Sequence, residues 1–343
     1  MSIAPAAPPP PPSSSGRARR LLRIALSLLL SVAAMEAAAR IAGVRPKEEP
    51  AANPNEPIMH APHPVLGWSP IPGRYVIPPY APGAPSILTT IAPDGSRVTA
   101  AAPAVGQPEV LVVGCSFAFG WAISDDETML WHLQERHPEL RFVNRAVKAY
   151  GTYQALLLLE EMLAAGARPT RVVYALHQSH EERNVAEPRW LGMLERFSRQ
   201  GGVALPYATL RDDGTLERHA PKPYPALPLR GWLATVALLE DILLERAAGP
   251  RVADKRRVTE ALILAMRDLC ARHGVRFDVL LLQASPRKRA EYIRFFDRAH
   301  VGYADCVVPI PATARVPGEG HPGPVINERW VACVEEKLLE PAT

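Results

Sequence analysis

With 343 residues, 48% of them apolar and 22% charged, the chain can bury a full globular core. The formal net charge is only +4, and Arg17, Arg19, Arg20 and Arg23 hold much of the excess. No basic stripe interleaved with aromatics is left to follow a phosphate backbone, which argues against a nucleic-acid partner. The four cysteines (Cys115, Cys270, Cys306, Cys333) are far apart with no C-x-x-C pair, which argues against a zinc site.

Residues 1–16 are a Pro/Ala/Ser tract that cannot build a core, so residues 1–20 are expected to form a disordered cytoplasmic tail. Arg17, Arg19 and Arg20 then precede the apolar run Ile24–Met35. Positive charge before an apolar segment keeps its start in the cytoplasm and exports the chain beyond it. Counted over 21–44 the segment reaches spanning length, with Glu36 and Arg40 spaced to pair at headgroup level. The long stretch before the apolar run favours an uncleaved single-pass anchor of the inner membrane over a cleaved signal, with the rest of the chain in the periplasm.

Residues 45–108 are rich in Pro and Gly, with short β-like pieces and a turn signal at Asp94-Gly95, and read as an irregular lead-in. From 109 the pattern alternates. Strands are expected at Glu109–Val113, Arg141–Val147, Arg171–Leu176, Arg276–Leu282 and Gly302–Val307. Helices are expected at Asp125–Arg136, Thr152–Ala165, Gly231–Arg246, Val252–His273, Pro286–Ala299 and Ile326–Leu339, with 177–230 less regular. Strands of continuous apolar residues alternating with helices imply α/β architecture, a parallel sheet covered on both faces. Chemistry in such sheets collects beyond the carboxyl ends of the strands. A disulfide is open to an exported domain, but spacing selects no pairing, and at least three of the four cysteines read as buried apolar fillers.

Two short segments carry the chemistry. Leu111-Val-Val-Gly-Cys-Ser-Phe-Ala-Phe-Gly120 runs a buried strand into Ser116, with Gly120 read as opening a helix. A serine there suits a nucleophile, because its own N–H can stabilise an oxyanion; it could equally cap the helix. Glu319-Gly-His321 lies in a Pro/Gly-rich loop before the last helix. A carboxylate two residues from a histidine can hold Nδ1 and leave Nε2 to take a serine proton.

Together these segments resemble the SGNH/GDSL hydrolases, a family with a flavodoxin-like three-layer α/β/α sandwich. Gly114-Cys-Ser-Phe matches the Gly-Asp-Ser-x block with Cys115 in the Asp place. In Asn144-Arg-Ala-Val-Lys-Ala-Tyr-Gly-Thr152 the family's oxyanion glycine falls on Ala149, with Gly151 close by. The third block has no Gly-x-Asn-Asp; His177, Ser179, His180 and Asn184 are the candidate side-chain oxyanion donors in 177–184. His177 and His180 lack a third ligand of suitable spacing, so no metal is expected, and Arg183 beside Glu181 and Glu182 reads as a solvated ion pair. The fifth block is Glu319-Gly-His321. The resemblance covers about 109–340, with a lead-in (Leu66-Gly-Trp68, Asp94-Gly-Ser-Arg97) similar to that of membrane-anchored members.

The resemblance implies a cofactor-free serine esterase or O-acyltransferase with Ser116, His321 and Glu319 catalytic. Ser116, Ala149 and Gly151 would hold the oxyanion with one of Ser179, His180 or Asn184. Its substrate would be a small acyl ester or an O-acetylated envelope glycan. The alternative is a non-catalytic envelope protein that keeps the fold to bind glycan or assist assembly.

Overall fold

The structure, a computed structural model, describes residues 14–47, 56–102, 105–197 and 203–339. The chain divides into two compact units, residues 1–49 with 225–244, and residues 50–224 with 245–343.

In the first unit helix α1 (Ser14–Ile41) carries the apolar segment. Among the described residues, Gly16–Ile41 is the one helical stretch long and apolar enough to cross a membrane, and its leucines are exposed, with Ala39 buried near its end. Residues 1–13 of the expected tail lie outside the described residues. Residues 14–20 belong to the helix and not to the tail, since Ala18 and the three arginines are good helix formers that extend it back from the apolar run.

The second unit opens with two antiparallel hairpins, β1 (His60–His63) with β2 (Gly67–Pro70) and β3 (Gly73–Ile77) with β4 (Ile87–Ile91). The expected alternation comes next: β5 (Glu109–Val113), α2 (Ser116–Phe119), α3 (Met129–Arg136), β6 (Arg141–Asn144), α4 (Thr152–Ala164) and β7 (Arg171–His177). Residues 177–230 are more regular than the sequence implies, with α5 (His180–Asn184), α6 (Pro188–Phe197) and a hairpin of β8 (Ala204–Leu210) and β9 (Leu216–Pro223). Strand β9 is polar and has no buried residue, so it carries no apolar alternation to read. Helices α7 (Ala234–Ala253) and α8 (Lys255–Arg272), strand β10 (Arg276–Gln283), helix α9 (Pro286–Ala299), strand β11 (Gly302–Asp305) and helix α10 (Pro324–Val334) complete the order.

Five parallel strands form the central sheet in the order β11-β10-β7-β5-β6. Numbered along the chain this is 2-1-3-4-5, the flavodoxin-like doubly wound order. Leu111, Val113, Val172, Tyr174 and Val279 pack on one face beneath α4, α8 and α9. Val110, Val112, Val173, Ala175 and Leu280 pack on the other beneath α3 and α10. Burial on both faces accounts for the unbroken apolar runs. The strand expected to reach Val147 stops at Asn144, whose Oδ1 accepts from Ala146 N–H at 3.2 Å and turns the chain out of the sheet.

Cys306, just past β11, and Cys333, on α10, form a disulfide with Cα atoms 5.8 Å apart. This corrects the expectation of at least three filler cysteines. Only Cys115 and Cys270 are buried free thiols, because β11 leads its following residue directly against α10.

Candidate active site

Strand β5 delivers Ser116 to the carboxyl edge of the sheet through a turn that needs glycine. A Cβ on Gly114 would lie 2.9 Å from both Cβ and O of Ala175 on β7, so no larger residue lets the turn pass this close. Gly120 does not open a helix, as the sequence suggested. It ends the single turn α2 in the left-handed region (φ 80°). Cys115, not Ser116, occupies the N-cap, and the serine hydroxyl is directed elsewhere.

That hydroxyl meets His321. Ser116 Oγ lies 2.9 Å from His321 Nε2, across 205 residues of sequence. Both Glu319 carboxylate oxygens lie 2.8 Å from His321 Nδ1, and Oε2 also accepts the His321 backbone N–H at 2.8 Å. A carboxylate at Nδ1 requires the proton there, so Nε2 is the acceptor for the Ser116 hydroxyl. Burial pushes the Glu319 carboxyl up, but its hydrogen bond to His321 and the nearby positive charges outweigh this and hold it below the usual range.

The loop that presents these groups is held from both sides. Val316 N–H donates to His321 O at 2.8 Å. Gly318 has φ 78°, and a Cβ there would collide with the Tyr80 carbonyl of the lead-in. From the far side Trp121 Nε1 donates to Glu319 Oε1 at 2.9 Å, and Lys148 Nζ sits 3.3 Å above the indole ring. Burial lowers the Lys148 ammonium from its ordinary value against the opposing pull of Glu56 and Glu319.

Behind the nucleophile turn stands Arg97, which is 1% exposed. Its guanidinium pairs with Asp125 at 2.9 Å and donates to the carbonyls of Phe119 (3.0 Å) and Ile123 (2.7 Å). Asn144 Nδ2 donates to Ala118 O at 3.0 Å and its carbonyl accepts Arg97 N–H at 2.9 Å. Arg97, Asn144 and Trp121 thus brace Ser116 and Glu319. No local pattern marks these roles, since each partner is distant along the chain.

The expected oxyanion donors divide. Ala149 has φ 71°, the left-handed geometry that favours glycine, and among the described residues its N–H has no hydrogen-bond partner. Gly151 is corrected. Its N–H already donates to Gln154 Oε1 at 3.1 Å, and its lack of a side chain admits Asn184, since a Cβ would lie 2.7 Å from Asn184 Oδ1. Asn184 is also corrected. Its Oδ1 accepts Tyr153 N–H at 3.0 Å, and its Nδ2 donates to Thr152 Oγ1 (2.9 Å) and Thr259 Oγ1 (2.8 Å). No donor remains on it.

His180 is fully buried, with Nδ1 2.6 Å from the Tyr174 hydroxyl on the α4 face of the sheet. That contact turns Nδ1 toward the face opposite the one that carries Ala118 and Phe119 of α2, while the ring as a whole lies 6.0 Å from that of His177. Arg183 is not solvated; it donates to Tyr150 O at 2.8 Å and stacks on Trp190. Glu181 is likewise buried, bonded to Lys288 at 2.7 Å and Tyr292 at 2.9 Å.

His177 and Ser179 remain. Strand alternation puts His177 with Val173 and Ala175 on the α2 face. Its ring meets Phe117 edge-on at 4.6 Å, and Phe117 meets His321 at 5.7 Å. Ser179 N–H donates to His177 Nδ1 at 3.1 Å, so the ring proton lies on Nε2. Burial, with Arg183, His321 and Lys288 nearby, holds this imidazole well below its ordinary pKa, so it is neutral at neutral pH. Ser179 is partly buried, and its hydroxyl has no hydrogen-bond partner among the described residues.

No protein-family model matches the chain, and no curated protein is similar to it. Solved structures that it is similar to include a member of the lipolytic protein G-D-S-L family from Veillonella parvula, 9% identical over 68% of this chain and 99% of that one, TM-score 0.41. An acetylxylan esterase from Geobacillus stearothermophilus, in a catalytic-mutant form, is 9% identical over 69% and 97%, TM-score 0.40. The psychrotrophic esterase EstA from a Pseudoalteromonas species is 11% identical over 68% and 100%, TM-score 0.39. The fold itself, read from strand order and the two helical layers, is the flavodoxin-like α/β/α sandwich that the resemblance to the SGNH hydrolases implies.

Proposed function

We propose that the chain is a membrane-anchored SGNH-type serine esterase or O-acyltransferase. The observation that carries this reading is the unbroken chain from Ser116 Oγ through His321 to Glu319, made by residues far apart in sequence. His321 Nε2 takes the Ser116 proton as Oγ attacks an ester carbonyl. The tetrahedral oxyanion is held by the backbone N–H groups of Ser116 and Ala149 and by His177 Nε2–H. The alkoxide leaves with the proton from Nε2. Water, or a sugar hydroxyl, then attacks the acyl-enzyme with His321 again as base, and Ser116 recovers its proton.

A small acyl ester, such as an O-acetyl group of an envelope glycan, is the substrate class. Support for an uncleaved anchor comes from Glu36 on α1. Its carboxylate accepts the N–H groups of Ala234 (2.9 Å) and Thr235 (3.0 Å) within the first unit, a contact that cleavage would discard. The Cys306–Cys333 disulfide fits an oxidising compartment such as the periplasm.

The test is fluorophosphonate labelling and p-nitrophenyl acetate turnover by the full chain in detergent. Wild type should label and turn over, and Ser116→Ala should do neither. A folded wild type that fails both leaves the non-catalytic, glycan-binding reading in its place.

A further inference from the structure

Within the first unit, the end of α1 and residues 227–244 are knitted together. Besides the Glu36 bonds to the start of α7, Arg40 Nη2 donates to Trp232 O at 2.9 Å and Lys47 N–H to Arg230 O at 2.9 Å. Lys47 also pairs with Asp241. This segment therefore sits where α1 ends.

Its polarity is inverted. Glu240 is 1% exposed, accepts Leu227 N–H at 2.7 Å and pairs with Arg230 at 3.2 Å. Trp232 is 79% exposed, and Leu239 and Leu243 are each 50% exposed. On α7, Leu239, Ile242 and Leu243 share one face, with Ala237 and Glu240 buried on the other. A helix bathed in water turns its acid out and its leucines in. Here Glu240 is buried and the leucines are exposed, while Asp241 stays in solvent paired with Lys47; Leu229 is a further exposed apolar residue of the segment.

Continuity with α1 identifies the cover for this strip. The 26 residues Gly16–Ile41 span about 39 Å at helical rise, enough for a hydrocarbon core of about 30 Å. Their leucines are exposed like those of α7. A tryptophan beside a short apolar helical face, at the mouth of a spanning helix, suits the headgroup region. Arg45, exposed just beyond α1 and unpaired among the described residues, offers a cation to anionic lipid.

We propose that residues 229–243 form a second membrane contact, lying in the bilayer interface with Trp232, Leu239 and Leu243 inserted and Glu240 on the protein side. The inference rests on the anchor reading of α1 and is independent of the chemistry at Ser116.

The full chain is reconstituted into phosphatidylcholine–phosphatidylglycerol vesicles with or without acyl chains brominated near the headgroup. The Trp232 signal is the emission of wild type less that of Trp232→Phe. Brominated lipid should remove about half of it or more, as expected for a ring ~5–10 Å deep. The double variant Leu239→Lys/Leu243→Lys should stay in the membrane through alkaline carbonate while this quenching falls by about twofold or more. Carbonate-resistant protein with an unquenched Trp232 overturns the proposal and leaves the anchor standing. Protein stripped by carbonate removes the anchor reading and the proposal with it. An unquenched Trp232 together with Leu239→Cys cross-linking between copies assigns the strip to self-association and also overturns it.

Discussion

The indole N–H of Trp121 donates to Glu319 Oε1 at 2.9 Å, and that same oxygen lies 2.8 Å from His321 Nδ1. Glutamate has one more rotatable bond than the aspartate usual in the SGNH fifth block, so it needs more fixing to orient an imidazole. Trp121 fixes one oxygen and the His321 backbone N–H fixes the other. Trp121→Phe keeps the ring and loses the donor. It should lower kcat by about tenfold with little change in KM, whereas Glu319→Gln should cost about 10²–10⁴ in kcat.

Protonation of Glu319 provides a second measure of the same contact. Its carboxyl is held below its ordinary value of 4.5 in the folded protein, burial being outweighed by His321. A depressed carboxyl stabilises the fold above the unfolded pKa and loses that contribution as pH falls through the folded one. The difference in urea midpoint between wild type and Glu319→Gln should be flat above about pH 5 and shrink progressively on further acidification. A difference that grows on acidification would contradict the assignment.

Ala149 stands at φ 71°, where a Cβ costs about 1 kcal/mol that glycine avoids. Ala149→Gly relieves this, partly offset by the greater freedom of glycine in the unfolded chain. Tm should rise by about 1–4 °C, and kcat should be retained because the N–H survives. Ala149→Pro removes the N–H and cannot adopt this φ, so it should abolish turnover. Thermal melts and p-nitrophenyl acetate kinetics on the same preparations read both effects.

Strands β5, β7 and β10 were legible because burial on both faces writes itself as unbroken apolar sequence. Ser116, Glu319 and His321 were legible because each motif is local. The contacts that tune them were not. Trp121 with Glu319, Arg97 with Phe119 O, and Cys306 with Cys333 join residues whose proximity exists only after the sheet is wound. Asn184 shows the opposite failure, for a polar residue near the right strand end looked like a donor until its partners were seen.

Asn184 ties the start of α4 to α8 through Tyr153 N–H, Thr152 and Thr259. Asn184→Ala leaves the buried Tyr153 N–H without its acceptor, while Thr152 Oγ1 and Thr259 Oγ1 keep Tyr174 and the Lys255 carbonyl; one such unsatisfied group costs about 1–3 kcal/mol. The expected result is a large drop in urea midpoint. The rate of fluorophosphonate labelling per folded molecule should match wild type at low temperature. A labelling defect in the folded fraction would return Asn184 to the oxyanion site.

In the proposed mechanism His177 supplies the side-chain donor that the third block lacks. Its Nδ1 is occupied by Ser179 N–H at 3.1 Å, which fixes the proton on Nε2, and its depressed pKa keeps the ring uncharged. A neutral imidazole N–H can stabilise an oxyanion without first losing a proton. His177→Phe keeps an aromatic ring against Phe117 and removes the donor, so kcat should fall by about 10²–10³ while KM stays near wild type. His177→Asn restores an N–H and should recover at least about tenfold of that loss. Because burial holds the His177 pKa well below its ordinary value, the acid limb of the pH–rate profile near neutrality should be the same for wild type and His177→Asn. Ser179→Ala keeps the backbone N–H that sets the tautomer and should lose little. The reverse pattern, with Ser179→Ala impaired and His177→Phe active, would make the serine hydroxyl the donor and reduce His177 to a packing partner of Phe117.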